Sequence, residues 1–150
     1  MDSPLEFGGE EDFAATPERV FAVLTDLDSL ARTMPDLVSA KKLDERTLEC
    51  VVRPGFSFLR GTLRLRVVLT DIQPPQSATM HLTARGIGTK IGVESRLELR
   101  ADPAGTRLAW SSKVVELSGL VATISRGLIG AAAEQQIRET WQRIRAELAE

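Results

Sequence analysis

Few side chains in this sequence have the type and position needed for chemistry. One histidine, His81, and one cysteine, Cys50, stand in segments where apolar and polar residues alternate. A metal site needs at least three protein ligands, which a lone histidine without a partner cannot supply. The sequence also contains no GxSxG turn, phosphate-binding loop or dinucleotide-binding glycine pattern. We therefore expect no metal and no cofactor, with His81 on the surface and Cys50 acting as a small buried hydrophobe.

The composition is typical of one globular domain covering residues 1–150. With 43% hydrophobic and 27% charged residues, the chain can bury a real core. A net charge of -2 argues against nucleic acid as a partner, because such binders carry a broad basic face. The sequence shows no leader pattern, and its least polar stretch, 117–133, is interrupted by glycines and Arg126. We expect a cytoplasmic protein whose membrane contact, if any, is peripheral.

Two kinds of periodicity define the elements that must position these side chains. A strand over 5–15 precedes two short helices, one capped by Thr16 and one capped by Asp28 and ended by Pro35. From residue 37 the period becomes two, which predicts strands at 38–43, 47–53, 58–72, 78–85, 90–100 and 107–115.

The last predicted element is a long helix over about 120–148, capped by Ser118. Seven antiparallel strands with one apolar face must bury that face against this helix. The predicted class is therefore α+β. It is a curved seven-stranded antiparallel sheet wrapped around a long C-terminal helix, with two short helices after the first strand.

The predicted inner face of the sheet is apolar except for Cys50, Ser95 and Ser112. General acid–base catalysis needs a titratable side chain within reach of the substrate, and no carboxylate, histidine or basic group points inward. We therefore expect binding and not catalysis. The residues predicted to contact a ligand are Met80, Leu82, Val93, Ser95, Leu97, Trp110, Ser112, Ile124, Leu128, Phe56 and Phe58.

Two features favour a ligand over a filled core. The apolar stripe that holds Ile124 and Leu128 is rotated from the stripe that holds Trp141, so a bend is expected near Gly127 and Gly130. Small residues at such a bend leave a void. The turn at 54–59 also exposes Phe56 and Phe58, which could close that void or fold back onto the helix.

The outer face of the predicted sheet carries alternating charges. A salt-bridged, solvated stripe is the first interpretation, and a docking face for an acidic partner or anionic lipid headgroups is the alternative. The residues are Arg64, Arg66, Glu94, Arg96, Glu98 and Arg100.

At this level of detail the chain resembles the START-like superfamily, also called SRPBCC, and within it the G-subunit family of carbon monoxide dehydrogenase. One position departs from the pattern, since Asp36 stands where the group often has glycine after proline. The matching residues, in order, are Phe7-Gly8, Pro17-Glu18-Arg19-Val20-Phe21, Leu24, Asp26, Met34-Pro35, Gly61, Asp71-Ile72, Pro74-Pro75, Gly86, Gly88, Thr106-Arg107-Leu108 and Gly119-Leu120.

The resemblance implies a helix-grip fold whose cavity binds a quinone, lipid or polyketide-like molecule, in a protein associated with an oxidoreductase. A polyketide cyclase or dehydratase, with Arg53 or Arg85 as its ionisable group, is a second hypothesis. A third is a ligand-free assembly factor that acts through its surface. The resemblance does not decide between them, because fold alone does not fix function.

Overall fold

Seven antiparallel strands form one sheet in the computed structural model, which describes residues 5–56 and 59–149. The sheet order is β1-β7-β6-β5-β4-β3-β2, so β1 and β2 are the edge strands. The predicted architecture is confirmed. The strands are β1 (Glu6–Phe13), β2 (Leu37–Asp44), β3 (Thr47–Val52), β4 (Leu63–Gln73), β5 (Ser77–Gly86), β6 (Thr89–Asp102) and β7 (Gly105–Gly119), and the helices are α1 (Pro17–Thr25), α2 (Leu27–Thr33) and α3 (Arg126–Ala149).

The two short helices follow each other without a loop. Thr16 caps α1 as predicted, and its hydroxyl accepts a hydrogen bond from the backbone N–H of Arg19 at 3.3 Å. The predicted cap of α2 was wrong: the Asp26 carboxylate accepts from the Ser29 backbone N–H at 3.0 Å. Asp26 has extended backbone geometry, so α2 begins directly after it and Asp28 falls within the first turn.

The strand predicted over 58–72 is shorter than expected. β4 begins only at Leu63, and the chain before it forms the β3–β4 connection. Leu59 in this connection is only 2% exposed, although it lies outside β4. Gly61, two residues later, has a φ of 122°, which interrupts extended pairing.

The C-terminal helix also begins later than predicted, and Ser118 does not cap it. Ser118 lies in β7, and the segment after β7 is a short 3₁₀ helix, Leu120–Thr123. This segment is tied to the sheet, because the Leu120 N–H donates to the Gly88 carbonyl at 2.8 Å and Val121 is 1% exposed. The chain therefore bends at Ile124, which is extended, while Gly127 and Gly130 lie inside α3.

The C-terminal half of α3 anchors this helix to the rest of the core. Ile144 is 3% exposed, and the Trp141 ring lies 6.1 Å from the Phe13 ring and 5.9 Å from the Trp110 ring. The Arg145 guanidinium also stacks 4.5 Å over the Phe13 ring. Since Leu128 near the start of α3 is 46% exposed, the helix is held mainly at its far end.

Candidate functional site

An apolar cavity of about 250 Å³ lies between the middle of the sheet, the two short helices and the second half of α3. Its wall on the sheet side consists of Val67, Met80, Leu82, Ser95, Leu97, Trp110, Ser111 and Ser112. Its wall on the helix side consists of Leu24, Leu30, Thr33, Met34, Pro35, Gln136, Ile137, Thr140, Trp141 and Ile144. Every side chain of both sets is uncharged.

Strand alternation and register explain the sheet wall. Met80 on β5 is paired with Ser95 on β6, which is paired with Ser112 on β7. One step along the same face, Leu97 is paired with Trp110. Because inward positions recur every second residue, these side chains point to the same space. The structure thus brings together the predicted residues Met80, Leu82, Ser95, Leu97, Trp110 and Ser112.

The helix wall differs from the prediction. Ile137, Trp141 and Ile144 recur at helical spacing and line the cavity, whereas Leu128 is exposed and Ile124 precedes α3. The reason is the bend at Ile124, which separates the earlier apolar stripe from the helix face that packs on the sheet. The useful signal was the second stripe, the one that holds Trp141.

Three further predicted ligand contacts lie elsewhere or outside the described residues. Val93 is partly buried opposite Val114 at a register shift next to Gly92, and it is not part of the cavity wall. Phe56 lies partly buried in the β3–β4 connection, also away from that wall. Phe58 lies outside the described residues, so its gating role stays a prediction.

The residues that α1 and α2 contribute were missed by sequence reasoning. Leu24, Leu30 and Met34 line the cavity, and their apolar spacing had indicated only that both helices are amphipathic. The spacing of apolar residues along a helix predicts which face is buried, but not the surface against which that face packs. No signal in the sequence would have placed these helices at the cavity.

The cavity offers only a few hydrogen-bonding groups. The hydroxyls of Ser95 and Ser112 lie 2.6 Å apart, so one donates to the other and the acceptor keeps its own hydrogen. The Thr33 hydroxyl donates to the Leu30 carbonyl at 3.1 Å, and the Thr140 hydroxyl donates to the Gln136 carbonyl at 2.8 Å. The serine pair therefore retains one hydroxyl hydrogen that a ligand could accept, whereas the hydroxyl hydrogens of both threonines already donate to backbone carbonyls.

Trp110 contributes a second unused donor. Its indole Nε1 is buried and has no hydrogen-bond partner among the described residues. It lies beneath β1, where a Cβ added to Gly9 would come within 3.3 Å of it. A buried donor without a partner costs about 1–3 kcal/mol of stability.

The two residues singled out for chemistry lie away from the cavity wall. Cys50 is 1% exposed in β3, and burial, assisted by the charge of Glu49, raises the pKa of its thiol. His81 lies between two inward residues of β5, so it faces away from the cavity, and its Nε2 lies 3.1 Å from the Thr70 hydroxyl. Within the described ranges, no three His, Cys, Asp or Glu side chains form a cluster able to hold a metal ion.

None of the described helices is both long and apolar enough to cross a membrane.

A curved antiparallel sheet that encloses an apolar cavity against a long C-terminal helix is the START-like helix-grip fold. A conserved protein from Geobacillus kaustophilus has this fold, with a TM-score of 0.89 and 23% identity over 97% of this chain and 95% of that one. A protein from Rhizobium leguminosarum is similar at a TM-score of 0.74 and 15% identity, over 98% and 95% of the two chains. A START superfamily protein from Mycobacterium smegmatis has a TM-score of 0.68 and 10% identity over 97% of both chains.

The chain belongs to the CoxG family, the G-subunit family of carbon monoxide dehydrogenase, whose model matches residues 9–149. The resemblance found in the sequence is thereby confirmed. Among curated proteins, no sequence match to this chain was found.

Proposed function

We propose that this protein binds and carries an uncharged apolar small molecule, of the quinone, lipid or polyketide-like kind, in the cavity. The observation that supports this most directly is the cavity wall, which is apolar apart from a few uncharged polar groups. A charged ligand placed there would lose its hydration without gaining a partner charge, so it would bind poorly. An apolar ligand has no such strong hydration to lose.

The volume of the cavity limits what it can hold. About 250 Å³ is slightly below the range typical of ligand clefts, about 300–1,000 Å³. It suits a ring system or a segment of an aliphatic chain, with any longer tail extending outside. Apolar area would supply most of the affinity, at about 25 cal/mol per Å² before the costs of ordering.

The serine pair supports a ligand that carries an oxygen atom. The hydroxyl hydrogen left free on Ser95 or Ser112 is a donor without a partner in the described structure. A quinone carbonyl, an ester or an alcohol would accept it. We therefore rank an oxygen-bearing apolar molecule above a pure hydrocarbon.

The enzyme hypothesis receives less support. Arg53 and Arg85, the ionisable groups it required, are both exposed, and neither lines the cavity. Association with an oxidoreductase rests on the family name alone, and it fits a carrier that supplies or removes a redox-active apolar molecule. A ligand-free assembly factor would leave the serine pair and the apolar wall without a use.

Binding can be followed through intrinsic fluorescence, because both tryptophans of the chain, Trp110 and Trp141, line the cavity. We expect a short-chain prenylated benzoquinone to quench this fluorescence saturably. Replacing both Ser95 and Ser112 by alanine should weaken quinone binding about tenfold, which corresponds to one lost hydrogen bond. A hydrocarbon of the same size, measured by competition, should change by less than about twofold.

Thr140→Val is the matched control, since it removes a cavity hydroxyl whose hydrogen is already committed to Gln136. We expect the same quinone affinity as in the unaltered protein. The proposed function would be contradicted if neither the quinone nor the hydrocarbon bound. An equal loss for both ligands in the serine variant would instead refute the role assigned to the serine pair.

A further inference from the structure

Three cations stand directly opposite one another on the outer face of the sheet. Arg64 on β4 is paired with Arg85 on β5, which is paired with Lys90 on β6. Their chain neighbours Leu65 and Ala84 are buried in the core, so the cations face away from it. Like charges in directly opposite positions destabilise a sheet.

The row is also poorly neutralised. Lys90 pairs with Glu116 at 3.3 Å, but Arg64 and Arg85 form no ion pair with any described residue. Arg53 and Arg60, which lie between β3 and β4 at the same end of the sheet, form none with the described residues either. At the other end, Arg107 is paired with Asp12 at 3.0 Å and Arg145 with Glu11 at 2.8 Å, whereas Arg46 and Arg100 form no ion pair with a described residue.

Exposed leucines accompany these cations. Leu120 is 45% exposed and Leu128 is 46% exposed. The Leu120 N–H donates to the carbonyl of Gly88, in the turn that joins Arg85 to Lys90, so the 3₁₀ helix lies beside the row. We call this surface the basic end; it comprises Arg53, Arg60, Arg64, Arg85, Lys90, Leu120 and Leu128.

We propose that the basic end docks on an anionic lipid surface. Unpaired cations are attracted to anionic headgroups, and exposed leucines beside them can enter the headgroup boundary. An acidic protein would satisfy the cations equally well. We favour a lipid surface because the proposed cargo is apolar and would partition into the bilayer. The inference therefore rests on the proposed function.

The position of the cavity agrees with this orientation. Met34 and Pro35 line the cavity and lie just before β2, whose first residue, Leu37, is at the same end of the sheet as the basic end. The Gln136 side chain donates to the Asp36 carboxylate at 3.4 Å, which links α3 to this connection. A protein docked through the basic end would thus hold one side of its cavity near the bilayer.

Vesicle sedimentation tests the docking surface. We expect the protein to bind phosphatidylglycerol vesicles at low salt, but not phosphatidylcholine vesicles. Replacing both Arg64 and Arg85 by glutamine should weaken this binding about 30-fold, since each basic residue near an anionic surface contributes about fivefold. The control, Arg46→Gln with Arg100→Gln, removes the same charge from exposed arginines at the opposite end and should bind within about twofold of the unaltered protein.

The leucines are tested separately. Replacing Leu120 and Leu128 by serine should weaken vesicle binding severalfold without changing its dependence on salt, whereas Leu43→Ser, 41% exposed at the opposite end, should not. The proposal is overturned if the unaltered protein ignores anionic vesicles, if both arginine pairs have equal effects, or if polyglutamate binds while vesicles do not. The assay uses protein without cargo, so its failure is distinguishable from failure of quinone binding.

Discussion

We expect Ser112→Phe to weaken binding of an apolar ligand by about 100-fold while the protein remains folded. Ser112 lies on the sheet wall of the cavity, and a phenyl ring there would occupy space that the ligand needs. Displacing about 110 Å² of ligand contact area at about 25 cal/mol per Å² removes about 2.7 kcal/mol of affinity. The ring would fill an existing void, so we expect stability to change little. Tryptophan quenching measures the affinity, and thermal unfolding measures the stability.

The matched control for this variant is Ala109→Phe. Ala109 lies on the same strand, β7, but it is exposed on the opposite face of the sheet. The same ring added there should leave ligand affinity unchanged. If Ser112→Phe bound ligand as tightly as the unaltered protein, the cavity between the sheet and α3 would not be the binding site.

Gly119→Ala should destabilise the protein by about 3 kcal/mol, which lowers the melting temperature by roughly 10 °C. Gly119 has a φ of 79°, which a residue with a Cβ adopts at a cost. An added Cβ would also overlap the carbonyl oxygen of Gly88, the group that accepts the hydrogen bond from Leu120. The variant would therefore strain the junction from which the chain leaves the sheet towards α3.

Gly130→Ala provides the contrast, and we expect it to stabilise the protein by about 0.5–1 kcal/mol. Gly130 lies inside α3, where alanine is the better helix former, and an added Cβ there meets nothing within 4 Å. The denaturant concentration at the midpoint of unfolding should thus rise for Gly130→Ala and fall for Gly119→Ala. A Gly119→Ala protein as stable as the unaltered one would refute the account of this junction.

The sheet could be predicted because its information is local. Residues such as Ser95 and Ser112 sit at inward positions of long alternating segments, so their shared face follows from the period of two. Their meeting at 2.6 Å also needed the register between β6 and β7, which the sequence does not state. The prediction that both serines face the interior thus came from the chain alone, whereas their hydrogen bond did not.

The helical side of the cavity could not be predicted to the same degree. Ile124 and Leu128 fit a helical stripe as well as Ile137 and Trp141 do, and only the 3₁₀ helix anchored on Gly88 decides between them. That anchor joins residues distant in sequence. The prediction of one helix from residue 120 failed because residues 120–123 form a 3₁₀ helix and Ile124 is extended, so α3 begins only at Arg126.

Asp36 shows how the structure explains a departure seen in the sequence. The resemblance noted in the sequence implies that glycine is frequent at this position, and Asp36 has a φ of 61°, a left-handed conformation that suits glycine. Aspartate tolerates this conformation better than most residues. Its carboxylate also accepts a hydrogen bond from Gln136, which glycine could not do.

Native mass spectrometry of the protein purified from its own host, with solvent extraction of whatever co-purifies, tests the central claim most directly. We predict one uncharged apolar molecule bearing an oxygen atom per protein chain, and its loss in the Ser112→Phe variant but not in the Ala109→Phe variant. A mass equal to that of the bare chain, together with no change in melting temperature on adding quinones or lipids, would contradict the carrier function.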